Sequence, residues 1–398
     1  MPENKFDLLV VGGGPAGYVA AIRGSQLGMQ VGCIEEENLG GVCLNVGCIP
    51  TKAMLSSALL VNECQSAESH GIIFDGLASN LAPAQKRSRD IADKLANGVS
   101  HLFKKNKIEH IRGRGRLLGG SSVEVTNSEG ETDTYTSDHI LLATGSRPRD
   151  IPVLPIDEKT IWSSTGALFQ QNAPASLAVV GAGAVGMEFA DIYNAYGSKV
   201  TVIEALERIL PIEDTDSSKV LQRSFQKRGV DFHTGATVKE AIISPEGAKL
   251  IFEDKSGNTH ELDVEKVLSA VGRVPNTENL GLKEVGVEVS PAGFIIVDHH
   301  MRSSISGVYA IGDCAGNQLL AHKAMHEGVV CVEVIAGESH ASVDYENVPN
   351  CTYCNPEVAS VGLTEAQARE KGLDIEVGKF PWVGNGRARA GRPTDGFV

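Results

Sequence analysis

An apolar run, a glycine-rich turn, a helical pattern and a second apolar run follow one another twice along this chain. Residues 10–35, VVGGGPAGYVAAIRGSQLGMQVGCIE, align without a gap on residues 179–204, VVGAGAVGMEFADIYNAYGSKVTVIE. Gly12, Gly14 and Gly17 fall on Gly181, Gly183 and Gly186, and both copies close on a glutamate, Glu35 or Glu204. FDLLVV leads into the first copy and LAVV into the second, so each glycine turn stands between a predicted strand and a predicted helix. In that setting G-x-G-x-x-G has a physical meaning. Glycines let the backbone approach a pyrophosphate, the helix N-terminus faces its charge, and the glutamate takes ribose hydroxyls. Two copies point to two dinucleotides. A carboxylate at Glu204 would repel a 2′-phosphate, so the second is expected to be NAD and not NADP.

Shorter apolar runs mark where each nucleotide region is left. HILL precedes ATGSRP (143–148), and EKVLS precedes AVGRVP (270–275). VYAIGDCAG (308–316) reads as another buried strand, ending in Gly312 and Asp313. A carboxylate there either binds the sugar-alcohol chain of a cofactor or caps a helix. The helical pattern LLAHKAMHEGVVCVEVIAG follows and points its N-terminus back at the same place. The expected architecture is α/β: a first dinucleotide domain over 1–147, a second over 148–273, a return to the first over 274–344, and a further domain from 345 to 398.

Composition narrows the setting. The 398 residues suit two or three domains at ~150 residues each. A net charge of −14 argues against nucleic acid or an anionic membrane as partner. The basic stretch from Lys104 to Arg116 reads as a solvated face. No run is read as reaching the ~18 apolar residues of a membrane span, and MPENKFDLLVV lacks a signal-peptide layout. The expected location is the cytoplasm, or the mitochondrial matrix for a processed eukaryotic protein.

Eight cysteines in a chain of this length do not form a disulfide scaffold. Cys351 and Cys354 make a C-x-x-C that lacks a second pair or a nearby His, so it reads as two small hydrophobes, and no metal site is expected. Cys43 and Cys48, in GGVCLNVGCIPTK, are different because glycines surround them directly after the first dinucleotide motif. On a regular helix they would point about 140° apart, so a bond between them requires a broken helix start. Gly47 and Pro50 permit the break, and Cys48 and Lys52 then sit one turn apart on one face.

These stretches resemble the pyridine nucleotide-disulfide oxidoreductases, and within that family the branch that oxidises protein-bound dihydrolipoamide. The resemblance runs from residue 6 to the end of the chain and rests on GGVCLNVGCIPTK, VVGAGAVGMEFA, AVGRVPN, YAIGDCAGNQLLAHKAMHEG and CNPEVASVGLTEAQAREKG. It implies two Rossmann-like domains, for FAD and NAD, plus a C-terminal α+β interface domain. FAD would lie on Gly12, Gly14, Pro15, Ala16 and Gly17, with Glu35 at its ribose and Gly40, Gly41, Val42 and Cys43 near its pyrophosphate. Gly115 and Ala143, Thr144, Gly145 and Ser146 would line the adenosine side. Asp313, with Leu319, Leu320, Ala321 and His322, would hold the ribityl chain and the flavin end. NAD would lie over Gly181, Ala182, Gly183, Ala184, Val185, Gly186 and Glu188, with Glu204 at its ribose and Val238 and Gly272 nearby. Lys52 and Glu188 would pair beside the flavin ring.

The resemblance also implies roles. Cys43 would exchange with the substrate dithiol and Cys48 would face the flavin, its thiolate favoured by the helix N-terminus and Lys52. The partners implied are a second copy of the chain and the lipoyl domains of a 2-oxo acid dehydrogenase or glycine cleavage complex. Two alternatives stand: a glutathione- or mercuric-reductase-like relative, which would use NADPH and show basic residues after the second strand, where EALER offers only Arg208; and a flavoprotein without dithiol turnover. The family's base, a His held by a Glu near the C-terminus, has no match here, and GRPTDGFV falls inside the interface domain. The chain is therefore expected to be truncated and slow toward dihydrolipoamide. His322 and His326 belong to the flavin-side helix and are not taken for that base. Val42 stands where Thr is usual in the family, and Thr51 where Ser is common.

Overall fold

The computed structural model describes residues 4–73, 75–119, 121–337, 342–391 and 395–398. By contact the chain gathers into two units. Residues 1–50, 89–147 and 273–345 form the first, and residues 51–88, 148–272 and 346–398 form the second.

In the first unit Lys5–Val11 is the central strand of a parallel sheet. Val31–Glu35 and then Glu109–Arg112 lie on one side of it, and Thr132–Leu142 and then Val308–Ala310 on the other. Leu8, Leu9 and Val10 are wholly buried, as expected of a strand covered on both faces. Register decides the function of this sheet. Val11 pairs with Ile34 on one side and Leu142 on the other, and Leu142 pairs with Ala310. The strands therefore end level, and the segments that begin at Gly12, Glu35, Ala143 and Ile311 leave from one carboxyl edge, where open α/β sheets bind ligands. The N-terminal half of Thr132–Leu142 carries an antiparallel meander with Ser122–Thr126 and Arg114–Gly119. Helix Pro15–Gln26 packs against helix Ala321–Ile335, closely enough that a Cβ on Gly328 would lie 2.8 Å from the Ala16 carbonyl oxygen.

The second unit repeats the plan. Ser176–Val180 is central, with Lys199–Glu204 and Asp231–Thr234 on one side and Lys266–Ser269 and Ile161–Trp162 on the other, all parallel. Val180 pairs with Ile203 and with Ser269, so the carboxyl ends are again level. A three-stranded antiparallel sheet, Thr237–Ser244, Gly247–Glu253 and Thr259–Val264, adjoins it in sequence. The C-terminal residues contribute the short hairpin Asn350–Thr352 with Val358–Ser360, and the helix Glu365–Glu370, started by a capping box between Thr364 and Gln367.

Two features differ from the sequence reading. Residues Thr51–Ser88 gather with the second unit although the division at 147 assigns them to the first domain. The reason is packing: Met54, Leu55 and Leu81 share a core with Leu177, Val179 and Phe189. In addition, Gly41–Gln65 contains a window of mean hydropathy 1.4, long and apolar enough for a membrane span by length and composition, which the sequence reading passed over. Met54 and Leu55 of this segment belong to the core just described. The segment is also not one helix. Gly41–Asn45 and Cys48–Gln65 are separate, with Val46 at φ −139° and Gly47 between them.

Candidate active site

The first glycine turn is held by contacts that admit no side chain. Gly12 has φ +110°, and a Cβ on it would lie 2.3 Å from the Ala143 carbonyl oxygen. One on Gly17 would lie 1.8 Å from the Gly12 carbonyl oxygen. Gly14 begins helix Pro15–Gln26 without a side-chain cap, so the first N–H groups of that helix are left to a ligand. Glu35, at the end of its strand, accepts from the Gly13 N–H at 2.6 Å and the Glu37 N–H at 2.8 Å, which leaves lone pairs for ribose hydroxyls. Burial raises the Glu35 carboxyl, with those same two amides pulling it down. Gly40 donates its N–H to the Gly13 carbonyl at 2.8 Å, and Gly41, at φ +54°, lies so close that its Cβ would sit 2.6 Å from the Cα of Gly14. The backbone of residues 40–41, with Val42 and Cys43 following, thus laps the turn. Gly115 is buried against Val11, where a Cβ would come within 2.9 Å of Val11 Cγ1.

At the same carboxyl edge, Ala143, Thr144, Gly145 and Ser146 follow the long strand. Thr144 Oγ1 donates to the Asn276 carbonyl at 2.7 Å, and the Asn276 amide Nδ2 donates back to the Thr144 carbonyl at 3.0 Å. Ser146 Oγ donates to Asp313, whose side chain caps no helix: the helix Ala321–Ile335 starts at Leu320 without a side-chain cap. Arg273 joins them, Nε donating to Ser146 Oγ at 2.7 Å and its second nitrogen to the Ser146 carbonyl at 2.6 Å. Burial pulls the Arg273 guanidinium below the usual arginine range, while the charges of Asp313 and Cys48 act in the opposite sense. Asp313, Leu319, Leu320 and Ala321 are half-buried, and His322 is exposed. This edge offers uncapped helix amides, a glycine cradle and a carboxylate beside the strand end, a set that fits a dinucleotide with a polyol chain.

Cys43 lies on the short helix and Cys48 opens the next one, both half-buried. Tyr18 was not singled out from sequence; burial first, and then the charges of Cys43 and Cys48, raise its hydroxyl. Cys33, Cys314, Cys331 and Cys354 are fully buried and burial pushes every one of their thiols up, which makes them inert hydrophobes.

In the second unit the turn repeats the first almost atom for atom. Gly181 has φ +100° with its Cβ position 2.3 Å from the Ala270 carbonyl oxygen, and that of Gly186 lies 1.9 Å from the Gly181 carbonyl oxygen. Glu204 accepts from Ala182 N–H at 2.6 Å and from Leu206 N–H at 2.8 Å. Gly183 starts helix Ala184–Ala195 without a side-chain cap, and Val185 is exposed on its first turn. Val238 is buried just after Ala236, whose N–H reaches the Glu204 carbonyl at 2.9 Å. Gly272, at φ +105°, accepts from Arg149 N–H at 3.0 Å. Arg208 is turned into its own loop, donating to Thr215 Oγ1 and, at 2.7 Å, to the Pro211 carbonyl. Lys52 Nζ meets both oxygens of the buried Glu188 at 3.0 and 3.2 Å, and lies 4.4 Å from the centroid of the Tyr353 ring, whose backbone N–H also donates to Glu188 at 3.0 Å.

Residues 6–328 match the pyridine nucleotide-disulphide oxidoreductase family and residues 348–398 its dimerisation domain, and the chain belongs to that family. FAD and NAD are its cofactors. Within the family the chain is closely related to the dihydrolipoyl dehydrogenases. It is 42% identical over 396 residues to dihydrolipoyl dehydrogenase of Zymomonas mobilis, covering 99% of this chain and 85% of the relative. It is 43% identical over 400 residues to leghemoglobin reductase of Glycine max, covering 100% and 76%. Among solved structures, LpdA from Mycobacterium tuberculosis superposes with a TM-score of 0.91 at 28% identity, over 99% of this chain and 86% of that one.

Proposed function

We propose that the chain oxidises protein-bound dihydrolipoamide to lipoamide and delivers the electrons to NAD. The observation that carries the reading is the cysteine pair itself: Cys43 and Cys48 flank a helix break directly after the lap over the first glycine turn, and Cys48 heads the helix that bears Lys52. In the proposed cycle the oxidised protein carries a Cys43–Cys48 bond. One substrate thiolate attacks Cys43 Sγ, the Cys43–Cys48 bond breaks, and Cys48 leaves as a thiolate at the start of a helix. The second substrate sulfur then attacks the first, closing the substrate disulfide and releasing Cys43, which takes one proton while the other passes to the medium. FAD, when bound, supplies the two-electron chemistry that couples this dithiol to the nicotinamide. Gly12, Gly14, Gly17, Glu35, Ser146 and Asp313 would hold it. Gly181, Gly183, Gly186 and Glu204 would hold NAD, and Glu204 would turn away a 2′-phosphate.

A homodimer, supported by the match of residues 348–398 to the family's dimerisation domain, and lipoyl domains as protein partner belong to the same proposal. The test is a single-turnover thiol count. The oxidised protein is mixed with dihydrolipoamide, quenched with an alkylating agent and mapped by mass spectrometry. Two new labels at Cys43 and Cys48 are expected when no nicotinamide is present, and in a parallel mixture with NAD those labels should fall as NAD is reduced, a loss that NADP does not match. Labels that appear elsewhere, or none, would refute the assignment of the pair.

A further inference from the structure

The carboxyl-edge turn of the first unit rests on two buried charges that the proposed chemistry leaves unused. Lys323 is fully buried and Glu327, one helical turn further along, is 2% exposed, with Nζ 3.1 Å from Oε2. The pair does not end at itself. Lys323 Nζ donates to the Gly312 carbonyl at 3.3 Å and to the Gly316 carbonyl at 2.9 Å. Glu327 Oε2 accepts from the Gly312 N–H at 2.7 Å, and Oε1 accepts from the Tyr345 hydroxyl at 2.7 Å. Burial, and then the Glu327 carboxylate, push the Tyr345 hydroxyl up, so it remains a donor.

Both ends of the turn Gly312–Ala315, which carries Asp313, are thereby tied to the helix Ala321–Ile335. Gly312 sits where that helix meets the head of the first dinucleotide helix: a Cβ on it would lie 3.2 Å from Ala16 Cβ and 3.4 Å from Ala324 Cβ. Two apolar residues of similar volume would fill this space and are often as stable as a buried ion pair. They could not hold two carbonyls and an amide in place.

We infer that Lys323, Glu327 and Tyr345 are positioning residues for FAD: they fix the backbone of Gly312 and Gly316, and so the place from which Asp313 reaches the cofactor. The inference rests on the assignment of FAD to the first unit. Its test is Lys323→Met with Glu327→Leu in one chain, and Tyr345→Phe in another, each stripped of flavin and titrated with FAD by fluorescence beside an NADH titration and a melting curve. The double variant is expected to keep the melting temperature of the unaltered apoprotein and its NADH affinity while its Kd for FAD rises about tenfold or more; Tyr345→Phe should raise the FAD Kd by a smaller factor, about threefold. If the double variant folds and binds FAD like the unaltered chain, the charges serve packing alone and the inference fails. Should the double variant not fold, an FAD affinity in Tyr345→Phe equal to that of the unaltered chain overturns it equally. A chain with no substitution that takes up no FAD would instead refute the FAD assignment.

Discussion

In both glycine turns a glutamate accepts one backbone N–H at 2.6 Å and a second at 2.8 Å, and in both the third glycine sits against the carbonyl of the first. What differs is how closely the crossing segment approaches the glycines. Over the first, Gly40 and Gly41 run so close that Gly41 could carry no side chain against Gly14. Over the second, a Cβ on Gly183 would meet nothing within 4 Å among the described residues. A second segment crosses both turns, since Leu210 N–H donates to the Ala182 carbonyl at 2.8 Å just as Gly40 N–H donates to the Gly13 carbonyl, so the turns differ in how closely that segment approaches the glycines. The glycines of both turns would supply closeness to a pyrophosphate.

Filling each turn at its third glycine should have the largest effect. Gly17→Val should give a colourless protein, because the added atoms overlap a carbonyl at 1.8 Å. Gly186→Val should stay yellow and lose NADH affinity by about 100-fold or more, read by absorbance and titration. If either substitution harms both cofactors alike, the turns are not independent sites.

Gly41→Ala and Gly183→Ala test the lap itself. The first combines φ +54° with a 2.6 Å approach and should weaken FAD about tenfold or more. The second places a methyl at φ −73° where the backbone would approach the NAD pyrophosphate, and should raise the NADH KM while leaving FAD bound. Loss of FAD from Gly183→Ala would show that the two turns are not independent sites.

Glu204→Gln should lower kcat/KM for NADH and raise it for NADPH, narrowing the preference by about tenfold. The smallest effect concerns pH. Burial raises the Glu35 carboxyl in the folded chain, so the folded state binds that proton more tightly than the unfolded one. The associated stability is complete below the unfolded value of about 4.3 and is lost as pH rises through the higher folded value. Denaturant titrations of the apoprotein should show this fall, and Glu35→Gln should flatten it.

The strands, both turns and both glutamates were legible in the sequence because each answers a local demand: a left-handed φ at Gly12 and Gly181, or a carboxylate at a strand end. The break between Cys43 and Cys48 was legible for the same reason, from Gly47 and Pro50. Arg273, Asn276 and Tyr18 were not singled out, since their meaning lies in contacts across the fold. Arg273 reaches Ser146 from 127 positions away, and Asn276 reaches Thr144 from 132. No periodicity records such a meeting, although Arg273 and Asn276 both stand in the quoted AVGRVPN. The placement of Thr51–Ser88 with the second unit escaped for the same reason, because it depends on which core Met54 and Leu55 find.

The lap of Gly40 over Gly13 also has a meaning in time. A hydrogen bond of 2.8 Å joins the two backbones, and Gly41 follows in close contact with Gly14. For a group held beneath it, the lap is expected to act on the rate of departure more than on the strength of first contact. The expected consequence is a slow departure of flavin, read by diluting the holoprotein into flavin-free buffer, which Gly41→Ala should hasten.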